Sequence, residues 1–114
     1  MFLMTSQLLA DTSYHPISLE HKGGGRDGLP LYFDMPLAYY VYGPKDHNII
    51  IDGNGAVSYY DVEISSPVTN TVEMTTQVNG TYDTFDISSL PTGTHVITIE
   101  SPSGNIYEGT FTKY

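Results

Sequence analysis

The chain has 114 residues, with 13 Asp and Glu against 4 Lys and Arg, a formal net charge of -9 and no cysteine. That length suits one domain, which buries roughly two-thirds of the surface its unfolded chain exposes. The charge repels phosphate backbones and anionic head groups and so excludes nucleic acid as a partner, while the missing thiols exclude disulfides, thiolate metal sites and cysteine nucleophiles.

Ten Tyr, no Trp and only 15% charged residues mark a globular, strand-leaning composition. Nothing approaches the run of ~20 apolar residues that a spanning helix needs, so no membrane insertion is expected. Residues 1–10, MFLMTSQLLA, read either as the remnant of a truncated secretory signal, apolar and ending in a small residue but without a basic leader, or as a loose tail. Residues 1–14 are assigned to this tail and residues 15–114 to one domain.

Ile17 and Leu19 alternate with Ser18 and Glu20, which predicts a short strand ending at Lys22. The stretch 23–28, GGGRDG, predicts a loop, and two prolines in residues 29–36 predict an extended approach or an edge strand. LAYYVY, residues 37–42, is strand-like, with Leu37, Tyr39 and Val41 assigned to the core face and Tyr40 and Tyr42 to the opposite one. Ile49, Ile50 and Ile51 form a buried strand, and Asp52-Gly53-Asn54-Gly55 predicts a hairpin into Val57.

Beyond it, Tyr60, Val62 and Ile64 point inward, while Tyr59, Asp61 and Glu63 mark a wet face. Val72, Met74, Thr76 and Val78 alternate with Glu73, Thr75 and Gln77, and Asn79-Gly80 predicts a second hairpin. Phe85 and Ile87, then Ile97 and Ile99, then Tyr107, Gly109 and Phe111 carry the buried faces of the closing strands. Turns at residues 90–93 and 101–105 separate these strands.

Motifs that suggest chemistry lose their context on inspection. The GxGxxG match at residues 23–28 is followed by no helix, so it does not form a dinucleotide cradle. Asp52-Gly53-Asn54-Gly55 lacks the glutamate that closes a calcium loop. His15, His21, His47 and His95 sit singly, without the close pair that a zinc site shows, and no serine lies in a nucleophile elbow. No catalytic residue, metal or cofactor is expected. Leu90-Pro91-Thr92-Gly93 lacks the residue that a sortase signal has between Pro and Thr, and Asn79-Gly80-Thr81 is a formal glycosylation sequon at an expected hairpin.

The segment DISSLPTG at residues 86–93, a strand, Ser103-Gly104-Asn105 and a last strand, together with VSYYDVEIS and TVEMTTQV, resembles a family of small secreted β-sandwich domains of unknown function from gut Bacteroidetes. The resemblance spans residues 17–114. It implies an immunoglobulin-like sandwich and export, with Leu90 plugging one end, and it implies no known activity. The same C-terminal arrangement is also similar to sorting domains that follow secreted cargo to the outer membrane.

These readings predict an all-β, immunoglobulin-like antiparallel β-sandwich of about seven strands, exported to the periplasm, cell surface or medium. The expected role is a non-catalytic binding or adhesion module whose partner is a glycan or another surface protein. Its ligand would be met by Tyr40, Tyr42, Tyr59 and Asp61 on one exposed face, where rings stack on sugars and the carboxylate takes their hydroxyls. A sorting or anchoring domain and a small hydrolase or inhibitor are the alternatives.

Overall fold

A computed structural model describes residues 12–24 and 33–114, and the stretches 1–11 and 25–32, which hold most of the tail and of the glycine-rich match, lie outside the described residues. Nine strands run through the described residues: β1 (Ser13–Ile17), β2 (Glu20–Gly23), β3 (Leu37–Tyr42), β4 (His47–Asp52), β5 (Tyr59–Ser65), β6 (Val72–Asn79), β7 (Tyr82–Asp86), β8 (Gly93–Glu100) and β9 (Ile106–Lys113). They form a four-stranded sheet in the order β1-β3-β4-β7 and a five-stranded sheet in the order β2-β9-β8-β5-β6. Every pairing is antiparallel.

The connections give the immunoglobulin-like pattern. A β3–β4 hairpin crosses to the β5–β6 hairpin, returns to β7 in the first sheet, and crosses again to β8–β9. These strands, β3 to β9, are the seven that such a sandwich requires. The single early strand expected around Ile17 and Leu19 is instead two short strands, and β1 already begins at Ser13, within the stretch assigned to the tail. The chain changes sheets at Ser18 and Leu19, so β1 extends the β3 edge and β2 the β9 edge. A side chain at Gly109 would collide with the Ser18 carbonyl, so this close crossing needs glycine beneath it.

The core lies between the sheets, where Ile49, Ile51, Tyr60, Ile64, Ile87, Ile97, Ile99 and Tyr107 are fully buried. Each buried Ile contributes about 1.5–3 kcal/mol through the area it removes from water. The expected alternation holds on β5, β8 and β9, and Leu90 closes one end.

On β3 the assignment is reversed. Ala38 and Tyr40 are buried, and Leu37, Tyr39 and Val41 face outward. Both alternating sets of LAYYVY are apolar, so period two carries no contrast there to say which face goes inward.

The two Asn-Gly pairs are corners between sheets, not hairpins. Asn54 and Gly55 do take positive φ angles of 54° and 79°, but β4 pairs with β3 and β7, and the chain after Gly55 enters the other sheet. Asn79-Gly80 likewise leads from β6 in one sheet to β7 in the other. The corners bond to each other: the Gly53 and Asn54 N–H groups donate to the Thr81 carbonyl at 3.1 and 3.0 Å, and Gly55 N–H donates to the Gly80 carbonyl at 3.0 Å. Gly80 is present for proximity, because a Cβ there would fall on the Val57 carbonyl.

Candidate functional site

The residues expected to share a ligand face are divided between the sheets. Tyr40 is 1% exposed and points into the sandwich, where its ring stacks on His15 at 5.9 Å and on His47 at 6.1 Å. Its hydroxyl accepts the Tyr114 N–H at 3.1 Å and is hydrogen-bonded to His47 Nδ1 at 2.7 Å, with the direction set by the imidazole tautomer. Burial pushes the Tyr40 phenol up, and the neighbouring Tyr42 and Tyr114 add to the rise while the bond from Tyr114 opposes it. Tyr42 is partly exposed at the end of the same inner row and completes this aromatic cluster. Tyr59 and Asp61 lie on the outer face of the other sheet, where Asp61 Oδ1 accepts from Gln77 Nε2 at 3.0 Å. The four therefore form no single surface.

The cluster brings His15 and His47 onto one tyrosine, while His21 donates to Asn105 Oδ1 at 2.9 Å and His95 meets Glu73 Oε1 and the Pro91 carbonyl, each at 2.7 Å. Among the described residues no three His, Asp or Glu side chains are placed to hold a metal ion.

Asp34, which sequence reading missed, is fully buried. It follows the segment ahead of β3 and ties it to the β8–β9 turn across the sandwich. Ser103 Oγ donates to its Oδ2 at 2.6 Å, Asn105 Nδ2 to its Oδ1 at 3.0 Å, and the Tyr107 hydroxyl to Oδ1, while the Tyr60 hydroxyl donates to its backbone carbonyl at 2.8 Å. Burial pushes the Asp34 carboxyl up, but hydrogen bonding from Ser101, Ser103, Tyr107 and Asn105 outweighs it and holds the group below its ordinary value. Both carboxylate oxygens accept from donors within the fold, so this buried acid fastens the segment ahead of β3 to the β8–β9 turn.

The two outer sheet faces differ in chemistry. On the five-stranded sheet, β5, β8, β9 and β2 turn Asp61, Glu63, Glu100, Glu108 and Glu20 outward among threonines. An open groove of about 480 Å³ runs there past Asp61, Glu63, Thr75, Thr98 and Glu100. Lys22 reaches Glu108 only at 3.9 Å. Solvated carboxylates repelling one another describe a wet wall.

On the four-stranded sheet the outward residues form three rows: Tyr14, Val41, Asn48 and Asp86; Pro16, Tyr39, Ile50 and Thr84; and Leu37, Asp52 and Tyr82. Tyr14, Leu37 and Tyr82 are 63%, 57% and 54% exposed. This face carries Tyr14, Tyr39 and Tyr82, none of which the sequence reading had assigned to a ligand. Tyr14 and Tyr39 are diagonal neighbours, about 7–8 Å apart by sheet geometry, and Tyr82 lies two strands and one row beyond Tyr39, with Ile50 and Asp52 on the strand between them. The signal for this face was the alternation of Tyr39 with Tyr40, read with the wrong sign.

The chain matches no protein-family model and no curated protein. Among solved structures it is similar to the crystal structure of a DUF3244 family protein with an immunoglobulin-like β-sandwich fold from Bacteroides vulgatus ATCC 8482, with a TM-score of 0.65 and 14% identity, covering 90% of this chain and 100% of that one. The likeness establishes the immunoglobulin-like fold.

Proposed function

We propose that this protein is an exported, non-catalytic binding module whose ligand surface is the outer face of the four-stranded sheet and whose ligand is a glycan. The oblique line of Tyr14, Tyr39 and Tyr82 across this face carries this reading. Tyrosine rings present a flat apolar surface to the C–H face of a sugar, and the side chains set between them, Asn48, Asp52, Thr84 and Asp86, supply hydrogen bonds to its hydroxyls. Exposed aromatic side chains grouped on one face without a covering partner among the described residues mark a candidate recognition surface. Export rests on the resemblance to secreted Bacteroidetes domains, with which the immunoglobulin-like fold of the Bacteroides vulgatus neighbour agrees. The non-catalytic assignment rests on the inward satisfaction of the buried ionisable groups, with Asp34, His95 and Tyr60 all committed to partners within the fold.

The test is retention of the purified chain in gels that contain polysaccharides. Binding is expected for the native chain. Removing both exposed rings, Tyr14→Ala with Tyr82→Ala, should weaken it by about ten- to a hundredfold, given about 0.5–1.5 kcal/mol for each aromatic contact. Tyr59→Ala on the opposite sheet should leave it unchanged. Equal loss in both variants would remove the assignment of the site to this face.

A further inference from the structure

Resting on that reading, we infer that the glycan is an uncharged polysaccharide chain lying across the outer face past Tyr14, Tyr39 and Tyr82, with Asp52 and Asp86 accepting hydrogen bonds from its hydroxyls. The two carboxylates are each half engaged. Asp52 Oδ1 accepts the Asn54 N–H at 3.1 Å, and Asp86 Oδ1 accepts the Ser88 N–H at 2.9 Å and the Ser88 hydroxyl at 2.6 Å. These local bonds fix both carboxyl groups in place, and among the described residues no hydrogen bond or ion pair occupies either Oδ2. A pre-oriented carboxylate oxygen beside an exposed ring is suited to accept from a sugar hydroxyl in a charge-assisted bond.

Sign of charge selects the class of glycan. The outward positions of β1, β3, β4 and β7 hold these two carboxylates and no Lys or Arg. Lys45 lies in the β3–β4 turn beyond the rows, and Lys113, on the inner side of β9, approaches Asp86, whose carboxyl is held below its ordinary value by the Ser88 bonds and then by the charges of His47 and Lys113. Among the described residues a uronic acid chain would therefore meet two carboxylates and no outward Lys or Arg on these strands, with a net charge of -9 behind them. A neutral polyhydroxylated chain brings C–H faces for the rings and donors for the free oxygens without repulsion.

The test uses the full chain in gels loaded with a neutral β-glucan, xylan or mannan, and in parallel with polygalacturonate or alginate. Retention by at least one neutral polymer and by neither polyuronate is expected, and Asp52→Asn with Asp86→Asn should weaken the neutral binding by about three- to tenfold while each Asn keeps its local turn bond. Retention by a polyuronate that Tyr14→Ala with Tyr82→Ala abolishes would overturn the neutral class and leave the tyrosine face as the site. No retention by any polymer, with a dimer in light scattering that the same tyrosine variant dissolves, would make the face a contact between copies. That result, or no retention and no dimer, would overturn both this inference and the function proposed above.

Discussion

The Asp34 network and the outer face of the four-stranded sheet use the same side chains in opposite ways. Around Asp34, a carboxylate and two tyrosine hydroxyls meet within the sandwich, every acceptor has a donor, and no water is needed. On the outer face, Asp52 and Asp86 are pinned through one oxygen each, and Tyr14 and Tyr82 stand more than half exposed. The difference separates holding from recognising. Completed polar groups contribute to stability, whereas fixed but half-completed ones remain available to a partner.

The largest expected effect strikes the first region. Asp34→Ala strands the donors of Ser103, Asn105 and Tyr107 in the interior and should cost about 3 to 4 kcal/mol, read as a fall in the urea midpoint at unchanged slope. The same acid gives a pH signature. Its folded pKa is depressed, so its contribution is complete above the ordinary carboxylate value of 3.8 and is lost as pH falls through the lower folded value. Unfolding monitored by circular dichroism should steepen below about pH 4 in the native chain and less so in Asp34→Asn. A loss under about 1 kcal/mol for Asp34→Ala would show that water replaces the network and that the two regions differ less than their geometry implies.

Tyr60 supplies the next effect. Burial pushes its phenol up to about 12 from 10.0, with the charges of Asp34 and Asp52 adding to the rise. The unfolded chain then releases this proton before the folded one, so stability is intact below about pH 10 and falls as pH rises towards 12, by about 2 to 3 kcal/mol from this group. Tyr60→Phe should start less stable at neutral pH, since the Asp34 carbonyl loses its donor, and should lose less between pH 10 and 12. Spectrophotometric titration of the phenols checks the same point, with Tyr60 ionising only as the chain unfolds.

Much of the framework was legible because one face of most strands is wet. Tyr60, Val62 and Ile64 against Tyr59, Asp61 and Glu63 leave no doubt about direction, and Leu90 between a strand and Pro91 reads as a plug. What stayed hidden has three physical causes. LAYYVY is apolar on both faces, so Tyr39 and Tyr40 exchanged roles, and Tyr40, expected on an exposed ligand face, is buried. Asn-Gly chemistry sets local backbone angles but does not say which sheet receives the next strand, and both corners here pass between sheets. Asp34 sits between Phe33 and Met35, and its partners Ser103, Asn105 and Tyr107 lie 69, 71 and 73 residues along the chain. No local pattern announces a contact that only the sandwich creates.

The smallest stability change is expected where binding changes most. Tyr14 and Tyr82 contribute little to the core, so Tyr14→Ala with Tyr82→Ala should alter unfolding free energy by less than about 1 kcal/mol, mainly through lower strand propensity. Tyr40→Ala, one residue from the outward Tyr39, removes a buried ring contacting His15, His47, Phe111 and Tyr114 and should cost about 3 to 5 kcal/mol. Thermal melts of these two variants beside the native chain decide the matter. If the outer pair melts as low as Tyr40→Ala, the outer rings are part of the packing and their exposure would not mark a binding surface. If the outer pair melts with the native chain but loses polysaccharide retention, the four-stranded sheet divides its tyrosines between packing and an outer binding face by nothing more than the alternation of side chains along its strands.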